Sequence, residues 1–549
     1  MSTEFITIHN NNDLHSYFKS AFITFEDKNI ELENLPINNA KFGILNFNAV
    51  HCLPTSVEHE FIFVIDNSGS MTDLCSDKRS KMQHIIHTLK KMVLYFKENS
   101  DIKVNISIFT FDDHFYNVVD RTDITKEKLP AILNKIDNIL PNGSTNIELA
   151  LKKINKYISD LKYMFPTNQI NHIFMTDGEI TSGDSNHDNI LQLVDNSIYN
   201  VFVGFGVNHD SNLLNLISCG NKSSYYFIDE IEKSGLVYGE ILHSLLYKMI
   251  YDVEICITNG FIYNYISNLW TNILYIGDIT GETNKNYHII SRCPNECNVL
   301  IQCKKNRNDN INTLSFNITN NMNLIDFINF KPINFDNYVF RQKTLQMLYE
   351  AKKCQQDKIK YYKYINHIDY IIDNFNTGDD FINSKQNQDD NIEEKCICIK
   401  KKMLELLFEM KKYMIDNNMR GDSFITNLCN DLYISHKTFD TQFGAMFINA
   451  RQTSQGTQRC YNVYKTPDLY DNNSYQNINR ISPPKLFRHL DKINNNNLDN
   501  LESSPYLTPT ATKIMCSFSE NTSDEAQFNF YLSDDDDDEH DTISLFYSP

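Results

Sequence analysis

The stretch Phe61-Ile62-Phe63-Val64-Ile65-Asp66-Asn67-Ser68-Gly69-Ser70-Met71 decides the fold. Five consecutive apolar residues, all β-branched or aromatic, suit a strand buried on both faces. The run stops at Asp66, and an Asp-x-Ser-x-Ser loop leads toward a helical pattern. In it Met82, Ile85, Ile86, Leu89, Met92, Val93 and Phe96 recur at three- and four-residue steps. That spacing gathers them on one stripe of a helix lying against a sheet.

Outward from this stretch the design repeats. Apolar runs at Val104 to Phe111, Ile170 to Met175, Tyr199 to Phe205 and Tyr225 to Ile228 predict further strands, and Ile147, Leu151, Ile154, Ile158 and Leu161 predict a second amphipathic helix. Strands alternating with helices imply an α/β domain over residues 58–250. Right-handed crossovers make its mostly parallel sheet doubly wound, with the ligand crevice at the carboxyl ends of the strands.

The flanks read differently. Residues 251–335 alternate polar and apolar positions, as in Val253 to Ile257, Tyr287 to Ile290 and Asn298 to Gln302, and predict an accessory antiparallel β module. The N-terminal segment 1–57 carries a strand pattern from Ala40 to Cys52, expected to pair with that module across the α/β domain. Helical periodicity returns over 336–455, from Tyr338 to Asn374 and from Ile392 to Asn417, where Met403, Leu406, Leu407, Met410 and Met414 line one side. The polar stretch Asn376 to Asp390 between them reads as a loop. Residues 456–549 are rich in Asn, Ser and Asp and end near the run Asp534 to Asp538. Such a composition predicts a disordered acidic tail, because it buries too little apolar surface to offset its ordering entropy. In it Thr466, Ser482, Ser504, Thr508 and Ser548 each precede Pro, a context for proline-directed phosphorylation that chance in a Ser- and Thr-rich tail also produces.

Bulk properties narrow the function. A chain of 549 residues suggests about two to four domains. A formal net charge of -19 argues against nucleic acid or an anionic membrane as main partner and favours cations and basic surfaces. Met1 to Asn12 shows no secretory signal, and no apolar run is long enough to span a bilayer. Thirteen Cys without a regular framework read as free thiols. Together these features predict a soluble, cytoplasmic or otherwise intracellular protein. Neither Cys293, Cys297 and Cys303 nor Cys396 and Cys398 show paired C-x-x-C zinc spacing, so no zinc is expected.

Three segments at successive strand ends carry chemistry: Asp66-x-Ser68-x-Ser70, Gly143-Ser144-Thr145-Asn146 and Met175-Thr176-Asp177-Gly178. Hard cations such as Mg²⁺ take oxygen ligands at about 2.0 to 2.1 Å and keep several waters, so a site needs few carboxylates and some neutral oxygens. Two Asp and three hydroxyls meet that need. Each segment also has an ordinary reading. Asp66 to Ser70 suit a helix cap, Thr145 with Glu148 suits a capping box, and Asp177-Gly178 suits a turn. Taken singly those readings win; three occurring together at strand ends favour a metal. Asp112 and Asp113 read as solvated rather than as ligands of a second site.

These segments resemble the metal-ion-dependent adhesion site of von Willebrand factor A domains, and all five site positions hold the residue types of that family. The resemblance implies that Ser68, Ser70 and Thr145 bind Mg²⁺ directly, with Mn²⁺ or Ca²⁺ as alternatives, and that Asp66 and Asp177 bind it directly or through water. It also implies one open coordination position, to be filled by an Asp or Glu carboxylate of a protein partner. No Walker loop, H-E-x-x-H or G-x-S-x-G elbow accompanies the site, so no enzymatic activity is expected. The expected function is therefore a metal-dependent protein-protein interaction module of adhesion or scaffold type. The rival is an adaptor or regulatory subunit of an enzyme complex such as ubiquitin ligation or an ATPase. A third reading is a structural particle component in which the site is a relic. The domain order is similar to intracellular von Willebrand A proteins and to the centre of inter-alpha-trypsin-inhibitor heavy chains, but without the signal peptide and full N-terminal domain of the latter. The RING cysteines of plant ubiquitin ligases with such a domain are also lacking.

Overall fold

The computed structural model describes residues 16–29, 35–74, 78–178, 180–206, 209–218, 222–228, 234–305, 313–319, 333–375, 379–419, 421–459 and 506–519, with positions 32 and 220. The elements, numbered in chain order, begin with strands β1 (Phe18–Asn29), β2 (Lys41–Ala49) and β3 (His59–Asp66). Next come helix α1 (Lys81–Glu98), strands β4 (Val104–Phe111) and β5 (Phe115–Asp123), helices α2 (Leu129–Asp137) and α3 (Ile147–Met164), and strand β6 (Gln169–Thr176). Helix α4 (His187–Leu191), strand β7 (Tyr199–Phe205), helix α5 (Ser211–Ile217), strand β8 (Ser223–Ile228) and helix α6 (Ser234–Leu246) close the α/β domain.

Its sheet runs β5-β4-β3-β6-β7-β8, parallel except for the edge strand β5, which the sequence reading missed because half of it faces solvent. β3, β4, β6 and β7 are buried at every position, as strands covered on both faces must be. Period two sorts the side chains. Phe61, Phe63 and Ile65 pack under α1, α2 and α6, whereas Ile62 and Val64 pack under α3, α4 and α5. The stripe read on α1 lies in the first of these cores, and Ser80 with Gln83 closes a reciprocal cap at its start.

The flanking β strands are β9 (Lys248–Thr258), β10 (Phe261–Asn264), β11 (Leu269–Thr271), β12 (Ile273–Thr280), β13 (Asn284–Ser291), β14 (Asn298–Lys304) and β15 (Thr313–Thr319). They form two antiparallel sheets, β1-β2-β13-β10-β11 and β12-β9-β14-β15, which share one apolar core. β2 pairs with β13 from Asn48↔Asn284 to Lys41↔Ser291, so the chain before the α/β domain rejoins the chain after it.

Helices α7 (Phe335–Phe375), α8 (Asp379–Asp416), α9 (Ser423–Thr438) and α10 (Gln442–Thr457) follow. Met403, Leu406, Leu407, Met410 and Met414 are buried among them. The loop expected from Asn376 to Asp390 is helical from Asp379 onward. A polar segment shows no apolar stripe to announce a helix, yet its backbone can extend one whose apolar face lies further along.

The described parts of the tail, residues 456–459 and 506–519, depart from expectation: the first ends helix α10 with Gln458 and Arg459 buried, and the second forms a docked helix. Helix α11 (Pro509–Ser519) docks on α6 and α1, with Ile514 fully inside the core under α1 and Phe518 packed against it. Ala511, Ile514, Met515 and Phe518 recur at helical spacing, an apolar face that an average over the whole tail conceals. Backbones approach closely here: a Cβ at Gly239 would stand 2.9 Å from the Ala511 carbonyl oxygen. Thr508 is buried, and its hydroxyl accepts a hydrogen bond from Ala511 N, so it is a helix cap and not an accessible phosphorylation site. The other Ser/Thr-Pro positions and the run Asp534 to Asp538 lie outside the described residues. No helix among the described residues is long and apolar enough to cross a membrane.

Candidate metal centre

Strand register brings two of the three segments together; the third, Gly143 to Asn146, does not end a strand as expected but lies between α2 and α3 and is joined to the first by backbone hydrogen bonds. β3 lies between β4 and β6, with Asp66 opposite Phe111 and Ile65 opposite Met175. Asp66 therefore ends its strand beside Asp177, which follows β6 directly. The chain leaving β3 turns into a short 3₁₀ helix, Gly69–Thr72. It is pinned there by Asn67 N donating to the Phe111 carbonyl, Gly69 N to the Gly143 carbonyl and Asn142 N to the Asn67 carbonyl. Gly143 sits at φ +73 with its Cα against Asp112, where a Cβ would meet the Asp112 Cβ at 3.0 Å. Both demands select glycine.

Four of the five expected residues form one hydrogen-bonded group. Asp66 Oδ1 accepts from Ser68 N at 2.9 Å, Ser68 Oγ lies 3.0 Å from Ser70 Oγ, and Ser70 Oγ donates to Asp177 Oδ1 at 2.9 Å. The Thr145 hydroxyl lies near this group: a Cβ at Gly178 would stand 3.2 Å from Thr145 Oγ1 and 3.6 Å from Ser70 Oγ. Asp66, Ser68, Thr145 and Asp177 are buried, and Ser70 is partly exposed. Burial pushes the Asp66 carboxyl up to about 6; hydrogen bonds from Thr176 and Ser68 oppose this, and the charge of Asp177 adds to it.

Several partners escaped sequence reasoning. Thr176 donates its hydroxyl to Asp66 Oδ2 at 2.6 Å, a role that its position one residue before Asp177 could have suggested. Lys81 Nζ bonds Asp177 Oδ2 at 2.6 Å and Asp73 Oδ2 at 3.0 Å. Burial works against that ammonium, but the hydrogen bonds and charges of Asp177 and Asp73 prevail and raise its pKa. The carboxylate oxygens of Asp177 thus face a serine hydroxyl on one side and a cation on the other.

Two local readings fail. Thr145 and Glu148 form no capping box: Asn146 caps α3 by accepting from Leu149 N, while Glu148 holds Asp184 N and Lys152. Thr145 is engaged elsewhere, its N–H donating to Thr181 Oγ1 and its carbonyl accepting from Thr181 N and Ser182 N. Nor does the Asp66 loop cap α1, since Ser80 does so. Asp112 is buried, not solvated, and accepts from His114 N at 2.6 Å. Asp113 is exposed, and it clamps Ser144 and Ser182 beside Thr145.

Among the described residues no three His, Cys, Asp or Glu side chains gather as metal ligands. The donor set here is two carboxylates and three hydroxyls, a chemistry that fits a hard divalent ion and not zinc-type nitrogen or sulfur ligation. Of the cysteines singled out, Cys297 and Cys303 are buried in the β module and Cys396 in the helical core, where its Sγ lies 3.1 Å from that of Cys354.

Residues 60–238 match the family model of the von Willebrand factor type A domain, so the chain carries such a domain. Among solved structures, the chain is similar to a von Willebrand factor type A protein from Catenulispora acidiphila, at 13% identity and a TM-score of 0.41 over 64% of this chain and 84% of that one. It is also similar to the ArnB paralog VWA2 from Sulfolobus acidocaldarius, at 12% identity and a TM-score of 0.41 over 79% and 99%. A further match is proximal thread matrix protein 1 from the mussel byssus with a zinc-occupied MIDAS motif, at 19% identity and a TM-score of 0.27 over 33% and 46%. No curated protein sequence matches the chain.

Proposed function

We propose that this chain is a non-enzymatic, metal-dependent protein-binding module in which Asp66, Ser68, Ser70, Thr145 and Asp177 hold Mg²⁺, with Mn²⁺ and Ca²⁺ as the competing ions. A bound divalent ion supplies an electrophilic centre for an Asp or Glu carboxylate of a protein partner. The observation that carries the reading is the hydrogen-bonded run of Asp66, Ser68, Ser70 and Asp177 at the carboxyl ends of β3 and β6, with the Thr145 hydroxyl close by on a third segment. The Ser68 and Ser70 hydroxyls lie 3.0 Å apart and Ser70 donates to Asp177, which sets neutral oxygens beside a carboxylate as a hard divalent ion requires. Ser70, the partly exposed member, marks the side from which a partner approaches. Thr176 and Asp113 hold the ligand loops in place from behind.

Calorimetry with Mg²⁺ and Mn²⁺, followed by pull-downs with and without EDTA and with Asp66→Ala, tests this. The expected result is divalent binding by the wild type and loss of the same partners under EDTA and in the variant. No binding at millimolar metal, or retention by Asp66→Ala of partners that EDTA removes, overturns it. Should the metal-dependent partners belong to a ligase or an ATPase, the module acts as an adaptor of that complex.

A further inference from the structure

At the opposite end of the same sheet, where β7 and β8 begin, a cavity of about 330 Å³ lies between the α/β domain, the β module and the helical region. Its lining is unlike the rest of this acidic chain. Six cationic side chains, Lys222, Lys248, Lys285, Lys352, Arg341 and Arg459, face it with only two carboxylates, Glu240 and Asp278. One pair cancels: Lys248 Nζ lies 3.1 Å from Asp278 Oδ2.

The two guanidiniums are the informative members. Arg341 is 2% exposed, and its Nη1 donates to the Asn286 carbonyl at 3.0 Å and lies 3.2 Å from His288 Nε2, while Nη2 donates to the Gln455 carbonyl at 2.5 Å. Its Nε has no hydrogen-bond partner. Arg459, 9% exposed, donates to the Tyr225 carbonyl and to Thr457 Oγ1. Neither guanidinium has a carboxylate partner among the described residues. Charges withdrawn from water are costly unless an opposite charge meets them, and arginine forks match phosphate oxygens well. Seven tyrosines share the lining and offer flat surfaces beside the cations. The volume lies within the range of small-molecule sites, about 300 to 1,000 Å³.

We infer that this cavity is a binding site for a small organic phosphate, whose anionic group meets Arg341, Arg459 and the lysines and whose ring or apolar remainder lies against the tyrosines. The site draws on three modules, so its ligand would bind best when all three are docked. It is independent of the metal reading, because no residue is shared with the Asp66 site.

The test is calorimetry on the full chain in EDTA, titrating adenosine 5′-monophosphate, inorganic pyrophosphate and sulfate at matched ionic strength. EDTA keeps a metal-bound phosphate at the Asp66 site from contributing heat. We expect submillimolar binding of the nucleotide that weakens as salt rises, weaker binding of pyrophosphate and none of sulfate. Lys222→Ala and Arg459→Gln should each lower the affinity about tenfold, the size of one charge-assisted hydrogen bond. Lys222 is partly exposed and in no ion pair among the described residues, so its variant stays informative even if substitution at the buried Arg341 or Arg459 impairs folding. Stronger binding of pyrophosphate than of the nucleotide supports an anion site but assigns it to free phosphates. No heat with either probe at millimolar concentration, or unchanged binding by Lys222→Ala, overturns the inference.

Discussion

The two ends of the central sheet are built on opposite principles. At the carboxyl ends of β3 and β6, the polar groups are carboxylates and hydroxyls at strand ends and on the loops that follow, and the Lys81 ammonium bridges Asp177 and Asp73. At the amino ends of β7 and β8, the polar groups are cations brought from three modules, and the acids are outnumbered. In a chain with a net charge of -19 the two ends thus differ in the sign of the charge that predominates in their lining. Each end is electrostatically incomplete by itself, the first inviting a cation and the second an anion.

The sharpest way to break this contrast is at the acidic end. Asp66→Ala or Thr145→Ala should weaken Mg²⁺ and Mn²⁺ binding on the order of a hundredfold or more, with the domain still folded, because one side chain ends a strand and the other sits on a loop, both outside the two apolar cores. Loss of repulsion between Asp66 and Asp177 should leave the metal-free fold as stable or slightly more so. Paired calorimetry and thermal melts decide, and a variant that keeps wild-type affinity removes the site.

Acid should strike nearer the other end. His172 is wholly buried between Phe174 and Phe202 and hydrogen-bonds Asn200, which lines the cavity; burial lowers its pKa to about 4 despite that bond. The unfolded chain therefore binds more protons than the folded one between about pH 6.5 and about pH 4. Its contribution is full above that window and is lost as pH falls through it. Loss approaches about 3 kcal/mol, taking about 1.36 kcal/mol for each pH unit. Urea midpoints at pH 7 and pH 4.5 should differ accordingly; burial lowers His209 and His436 to about 4 as well, so His172→Gln should narrow the difference by its own share only.

The docked tail helix tests whether the two ends are separable. Ile514→Ala should cost about 2 to 4 kcal/mol and expose 506–519 to protease. Tyr506, just ahead of α11, donates its hydroxyl to Gln455 and lies beside Arg341. Loosening this segment is therefore expected to disturb anion binding while Mn²⁺ affinity stays unchanged. Equal loss at both ends would show that they are coupled.

The smallest effect concerns Lys81. Its ammonium occupies an oxygen of Asp177, so Lys81→Met should raise Mn²⁺ affinity about tenfold while lowering metal-free stability, since a buried carboxylate loses its counter-charge. Calorimetry reads the first and thermal melting the second. An unchanged affinity would place Lys81 outside the competition.

How much of this was legible follows from distance along the chain. Asp66, Ser68 and Ser70 stand together, and Thr145 and Asp177 each follow a signal of their own, so all five could be named before any fold was known. Lys81 could not, because it reads as the opening residue of an amphipathic helix and its partner lies 96 positions away. The Thr145-Glu148 cap was a sound local reading that failed because Thr181 and Ser182 had taken the Thr145 backbone groups. Asp112 looked solvated until Gly143 was seen to cover it.

By itself the sequence determined the α/β alternation, the central strands, the faces of α1 and α3 and the oxygen chemistry at the strand ends, because each depends on periodicity or on a residue's place next to a strand. Only the tertiary structure decided the pairing of Lys81 with Asp177, the cationic cavity and the docking of α11. Those depend on which distant backbones come within a few ångströms of one another, and no local pattern carries that information.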